Sequence, residues 1–240
     1  MTFIALSGTK GSPGTTTLDL AMCASDTSAP LLIEADAAGG DIAARCGMAL
    51  DPGLLTLAAS GRRGLDRSTI EHHAQRLPSG VLALLAPTCA GQAASALSGV
   101  AAVLARSVAN DRSSVIVDTG RWDPRSPALD LVASASVAVL VLRPTIEGVE
   151  HARWQLAGLQ EIVPRVVVAT IGVRPYPSAE VRSALAVDEL YVIDDDTRAA
   201  NALGSGARSD RWLRRSQLLR SAGALAEHLV GEHEHVAVPQ

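Results

Sequence analysis

The chain has 240 residues, 48% of them hydrophobic, and a formal net charge of −4. That length and apolar content suit one large domain with a full core, and the mild acidity excludes a protein that coats nucleic acid through bulk charge. With three Trp, two Tyr and one Phe, the core must be built from Ala, Val, Leu and Ile. Cys23, Cys46 and Cys89 are odd in number and widely spaced, so they make neither a disulfide framework nor a zinc site and are expected as buried, inert thiols in a reducing compartment. The N-terminal apolar run is too short for a secretory signal, and no segment reads as a membrane span of roughly 20 apolar residues. A cytoplasmic location is therefore expected.

Phe3 to Leu6 reads as a strand, Gly8 to Gly14 as a glycine-rich loop, and Thr16 to Ala24 as a helix closed by the breakers between Ser25 and Pro30. Glycines at such a turn let backbone N–H groups converge on an anion, and the following helix offers its positive end to the same anion. Gly8-Thr-Lys-Gly-Ser-Pro-Gly14 fits the general phosphate-loop pattern loosely, because Thr15 stands where the lysine belongs. A ligand-free strand-to-helix turn is the alternative for this stretch taken alone.

Leu31 to Ile33 is a buried-type strand running into Glu34-Ala-Asp36 and on to Asp41. Acids and glycines at a strand end are where open parallel sheets place ligand chemistry. Asp51 to Gly64 shows no clear period, and Asp66 to Leu77 reads as a helix whose adjacent His72 and His73 point about 100° apart, as surface residues. Val81 to Leu85 is a third strand and Gln92 to Val108 an alanine-rich amphipathic helix. Ser114 to Val117 is a β-branched run that stops at Asp118-Thr-Gly120, the form of a magnesium-holding strand end. Then come a loop at Arg121 to Arg125, a helix from Pro127 to Ser134, a strand at Val137 to Leu142, and a helix over Thr145 to Leu159.

Arg165 to Thr170 and Tyr191 to Ile193 are further strands, separated by a helix at Ser178 to Ala186. Asp194-Asp-Asp196 reads as an acidic turn and helix cap. Gly204 to Gly206 reads as a hinge. Beyond it Arg208, Arg211, Arg214, Arg215 and Arg220 surround Trp212, and Ser216 to Val230 forms an amphipathic helix with Leu218, Leu219, Ala222, Leu225 and Leu229 on one side. Core packing, a nonspecific DNA contact through the arginines and a membrane-surface helix, which would want larger aromatics, are the competing readings. His228, His233 and His235 sit by a polar tail at 231–240, beyond a single domain at 1–230.

Strands alternating with helices predict an α/β fold: a mostly parallel sheet with helices on both faces. Four ordered landmarks, the Lys10 loop, Glu34-x-Asp36, Val117-Asp118-Thr119 and the strand before Asp194 to Asp196, resemble the ParA/MinD family of P-loop ATPases with a deviant loop, nearest its MinD-like and CpaE/TadZ-like members. Lys10, the chain's only lysine, matches the family's early lysine, which acts across a dimer on the partner's nucleotide. The resemblance implies ATP or ADP with Mg²⁺ as cofactors and a nucleotide-dependent homodimer that positions an unidentified protein partner or DNA. It places Gly8, Lys10, Gly11, Ser12, Gly14, Thr15, Thr16 and Thr17 on the nucleotide, Thr16 and Asp118 at the metal, the latter through water, and Asp36 with Lys10 in catalysis. Thr15 for lysine, Ser12 for glycine, Glu34 for the first aspartate and a missing adenine-reading asparagine imply weak or no hydrolysis. Arg121 and Arg143, at strand ends, are candidates to compensate for the lost ammonium. A non-hydrolysing scaffold and a DNA-binding partition protein are the alternative functions.

Overall fold

The computed structural model describes residues 2–60, 65–109, 113–206 and 210–231; Arg208, His233, His235 and the expected tail beyond Gly231 lie outside them. In chain order the elements are β1 (Phe3–Gly8), α1 (Thr15–Ser25), β2 (Leu31–Glu34), α2 (Ile42–Cys46), α3 (Leu54–Ser60), α4 (Arg67–His73), β3 (Gln75–Arg76), β4 (Leu82–Leu84) and α5 (Ala90–Ala109). There follow β5 (Val115–Arg121), α6 (Leu129–Ala133), β6 (Val137–Leu142), α7 (Ile146–Gln160), β7 (Val166–Ile171), α8 (Ser178–Leu185), β8 (Leu190–Ile193), α9 (Thr197–Gly204), a 3-10 turn at Leu213–Arg215, and α10 (Gln217–Gly231).

The strands form one sheet in the order β3-β4-β2-β5-β1-β6-β7-β8. Every pairing is parallel except β3 with β4. The central strands are near-continuous runs of Val, Ile, Leu and Ala because both of their faces are covered, the condition parallel sheets require. Alternation along β1 shows it: Phe3 and Ala5 join one core and Ile4 and Leu6 the other. The first core packs Leu54, Leu97, Leu104, Leu131, Leu156 and Val181 from α3, α5, α6, α7 and α8. The second packs Leu18, Met22, Leu203, Leu219, Leu225 and Leu229 from α1, α9 and α10. Each of these leucines contributes roughly 1.5–3 kcal/mol by leaving water, so the leucine face of α10 belongs to the core.

Several expectations need correction. The stretch after Asp41 holds two short helices, α2 and α3, and the helix expected to Leu77 stops at His73, where Ala74 turns extended and Gln75 begins an antiparallel edge strand. Its Nε2 ties this turn down by donating to Ala49 O and Pro52 O. His73 is half-buried rather than a surface residue, its ring nitrogens bonded to Thr56 Oγ1 (2.8 Å) and Ser60 Oγ (3.1 Å). Of the cysteines only Cys23 is buried; Cys46 is half-buried and Cys89 exposed. The expected glycine hinge is packed instead: Gly204 closes α9, and a Cβ at Gly206 would lie 3.1 Å from the Cys46 backbone. The helix α5, at 20 residues, has the length and composition of a membrane span. Its buried stripe, Leu97, Val100, Leu104 and Val108, nevertheless packs into the first core.

Candidate functional site

The carboxyl ends of β2, β5 and β1 lie side by side at the middle of the sheet. Register brings Asp118 level with Glu34 on one side and Leu6 on the other, and Arg121 opposite Gly8. The chain leaving β1 is steered by left-handed backbone at Gly11 (φ 98°), Ser12 (φ 51°) and Gly14 (φ 110°). Ser12 occupies a conformation that costs a non-glycine residue roughly 1–2 kcal/mol, so the loop keeps its shape where its sequence departs from glycine. Gly14 caps α1 without any side-chain hydrogen bond, and the first turn carries no acid. The leading N–H groups of that helix are therefore uncapped and face a cleft with the helix dipole behind them. The cleft holds about 330 Å³ and is lined by the loop from Gly8 to Thr17 except Lys10, together with Asp36, Asp41, Arg45, Gly120 and Arg121.

Thr16 and Asp118 meet on the floor. Asp118 is buried and accepts hydrogen bonds from the Thr16 hydroxyl and from Gly120 N–H (2.9 Å). Burial pushes its carboxyl up to about 6, against the pull of those two bonds. Asp36 is half-buried above it, with Ala38 N–H donating to its Oδ1 (2.8 Å). Burial also raises Asp36, offset by that bond and reinforced by Asp41. Asp36 fits only because residue 120 is glycine: its backbone is left-handed (φ 65°) and a Cβ there would overlap the Asp36 carboxylate. Among the described residues no three His, Cys, Asp or Glu side chains converge on a metal. Thr16 and Asp118 are instead a sparse, hard-oxygen set of the kind magnesium uses when most of its ligands are water and phosphate.

Thr15 is buried at the start of α1, with its hydroxyl packed against Gly8. It brings no charge to the cleft. Lys10 is brought to a different place, exposed on the far side of the loop in a surface pocket with Arg143, Glu147 and His151. Of the two arginines considered as compensation, Arg121 lines the cleft and Arg143 does not; Arg143 pairs with Asp195 at 3.1 Å, joining the ends of β6 and β8 beyond β7. At the end of β7, Thr170 is fully buried, its hydroxyl directed at Tyr191 O (3.4 Å). The acidic turn divides its work: Asp195 forms that ion pair and Asp196 caps α9 through Ala199 N–H (3.0 Å).

Glu34 does not share the position that its spacing from Asp36 suggested. Its carboxylate turns under the chain and accepts from Asp41 N–H (2.7 Å), Ile42 N–H (2.9 Å) and Ala86 N–H (2.9 Å). It anchors the start of α2 and the end of β4. Burial outweighs the three bonds and raises it to about 7. Two further residues were not singled out from the sequence. Arg45, on α2, enters the cleft because α2 forms, and the signal available was an arginine four residues after Asp41. Asp19, on α1, is fully buried with both oxygens lacking a hydrogen-bond partner among the described residues. Burial and the neighbouring Asp118 push its carboxyl well up.

No protein-family model matches the sequence, and no curated protein matches it either. Solved structures do match. A ParA family ATPase from Chlorobium tepidum superposes with a TM-score of 0.73 at 15% identity, over 95% of this chain and 98% of that one. The fold is that of the ParA/MinD ATPases. The cell division ATPase MinD of Pyrococcus furiosus gives a TM-score of 0.72 at 18% identity, over 99% and 100% of the two chains. The septum site-determining protein MinD of Pyrococcus horikoshii, in complex with Mg-ADP, gives 0.65 at 14% identity over 98% of each.

Proposed function

We propose that this chain is a MinD/ParA-like nucleotide-binding protein that takes ATP or ADP with Mg²⁺, hydrolyses ATP weakly or not at all, and works as a dimeric switch that positions a cellular partner. The observation that carries this reading is the convergence of the uncapped start of α1, Thr16 and Asp36 in one cleft, with the buried Asp118 bonded to Thr16 behind its wall. The same fold holds Mg-ADP in the P. horikoshii protein. Here the backbone from Gly11 to Thr17 would bind phosphate, Thr16 and Asp118 would hold the metal and its water shell, and Asp36 would orient a water. Bound Mg²⁺ supplies charge neutralisation on the phosphates. Thr15 cannot supply the charge-assisted contact of an ammonium, and losing such a contact in phosphoryl transfer costs on the order of a thousandfold in rate.

The position of Lys10 supports the dimer. It points away from its own cleft, toward a face of α7 where Glu147, His151 and Trp154 recur at helical spacing. Trp154 is 76% exposed there and Ile146, at the start of the helix, 67%, apolar surface of the kind an interface covers. Single-turnover assays with radiolabelled ATP test the catalytic half of the reading. Slow turnover abolished by Asp36→Ala supports a switch, and no turnover supports the scaffold that the buried, uncharged Thr15 favours. DNA binding is a second reading, favoured by the exposure of Arg211, Arg214, Arg215 and Arg220 around Trp212, whose ring Arg198 covers at 4.5 Å. Retention on DNA that falls steeply with salt and is lost in the Arg211, Arg214 and Arg215 triple alanine variant supports it; retention unchanged by that substitution removes it.

A further inference from the structure

The cleft has Thr15 where the general phosphate-loop pattern has lysine, yet it is not without cations. Two arginines line it, Arg45 from α2 and Arg121 from the tip of β5. Both side chains are exposed, and neither forms an ion pair at contact distance among the described residues. The other cations nearby are committed elsewhere, Lys10 beyond the loop and Arg143 to Asp195.

The fold places both arginines firmly. Arg121 pairs in register with Gly8, the first glycine of the loop, and the next residue locks that register by donating Trp122 N–H to Gly8 O (3.0 Å). Arg45 rides on the short helix that Glu34 anchors through Asp41 and Ile42. It also lines a neighbouring pocket with Thr17, Asn201 and Gly204, its guanidinium lying beside Gly204 at the end of α9. Its charge is felt by Asp118 on the cleft floor. Asp36 and Asp41 line the same cleft, so an incoming polyphosphate would meet net repulsion from the carboxylates without these two arginines.

We infer that Arg45 and Arg121 take over the role of the absent loop lysine, gripping the polyphosphate of a nucleoside di- or triphosphate from the β2 and β5 side of the cleft. This rests on the nucleotide-binding reading and specifies how that site recognises its ligand. A guanidinium fork contacts phosphate oxygens in pairs, so the substitution exchanges one ammonium on the loop for two planar groups on the facing wall. The site then selects by phosphate count, since a nucleoside monophosphate offers these groups little to hold.

The test is calorimetric titration of the full chain with ATP, ADP and AMP in Mg²⁺, comparing it with Arg45→Gln, Arg121→Gln and their combination, each at an exposed position outside both cores. The double variant should bind ATP roughly tenfold to a hundredfold more weakly, the loss expected for charged hydrogen bonds, with AMP unchanged. Adding Thr15→Lys to the double variant should recover the loss. Equal ATP affinity in the double variant and the unsubstituted protein overturns this inference alone, as does a loss that falls equally on AMP. Absence of ATP binding by the unsubstituted protein overturns the nucleotide reading together with it.

Discussion

Glu34→Gln tests the assignment of Glu34 to the scaffold rather than the site. The structure gives this carboxyl three backbone N–H donors, yet burial raises it from 4.5 to about 7. A group with a raised folded-state pKa is protonated more readily in the folded chain, so stability falls as pH rises from the unfolded value to the folded one. From 4.5 to about 7, at ~1.4 kcal/mol per tenfold in proton affinity, the loss is about 3 kcal/mol. Glutamine carries no charge at any pH but presents an amide where one N–H now finds an acceptor, at a pH-independent cost of about 1–3 kcal/mol. Urea unfolding of both proteins between pH 4.5 and 8 should therefore show the variant less stable at the acid end and the gap closing or reversing by about 3 kcal/mol at the alkaline end. The difference between the two curves isolates Glu34 from Asp118, which is raised to about 6 and acts in the same direction. Parallel curves would refute the reasoning, because they would mean that the carboxyl is not desolvated.

Other outcomes follow from the same geometry. Asp19→Asn removes a buried carboxylate without a hydrogen-bond partner among the described residues whose folded pKa is raised, so the variant should gain about 1–3 kcal/mol at pH 8 and lose that gain below about pH 4, as thermal melts at the two pH values would show. Gly120→Ala forces a methyl into the Asp36 carboxylate from left-handed backbone, and should cost about 1–2 kcal/mol for conformation plus about 1–3 for overpacking in chemical denaturation. Lys10→Ala should leave nucleotide affinity in the monomer unchanged and remove nucleotide-dependent dimerisation in sedimentation velocity. A variant that dimerises normally would detach Lys10 from the interface.

Much of the site was legible because its parts sit where a strand ends and a glycine follows. Gly8 to Gly14, Asp36 and Asp118 each close a buried apolar run, and the sheet order then brings them together with no further condition. What was not legible depends on contacts distant in sequence. Glu34 stands two residues from Asp36, as a paired acid would, but its partner at Ala86 is 52 residues away and turns it out of the site. Arg45 reaches the cleft only because Glu34 seeds a five-residue helix too short to leave a period. Asp19 was invisible for another reason: α1 is covered by the sheet on one side and by α10 on the other, so position 19 has no solvent face, and a lone acid in a helix is ordinarily read as one.

The central claim, a nucleotide site coupled to dimerisation, is tested most directly by titrating the full chain with ATP and Mg²⁺ in a calorimeter while following its mass by light scattering. Saturable heat with one nucleotide per chain, accompanied by a doubling of mass that ADP does not produce, is the result expected. No heat and no change in mass would contradict the account and leave the ParA/MinD fold serving as a scaffold.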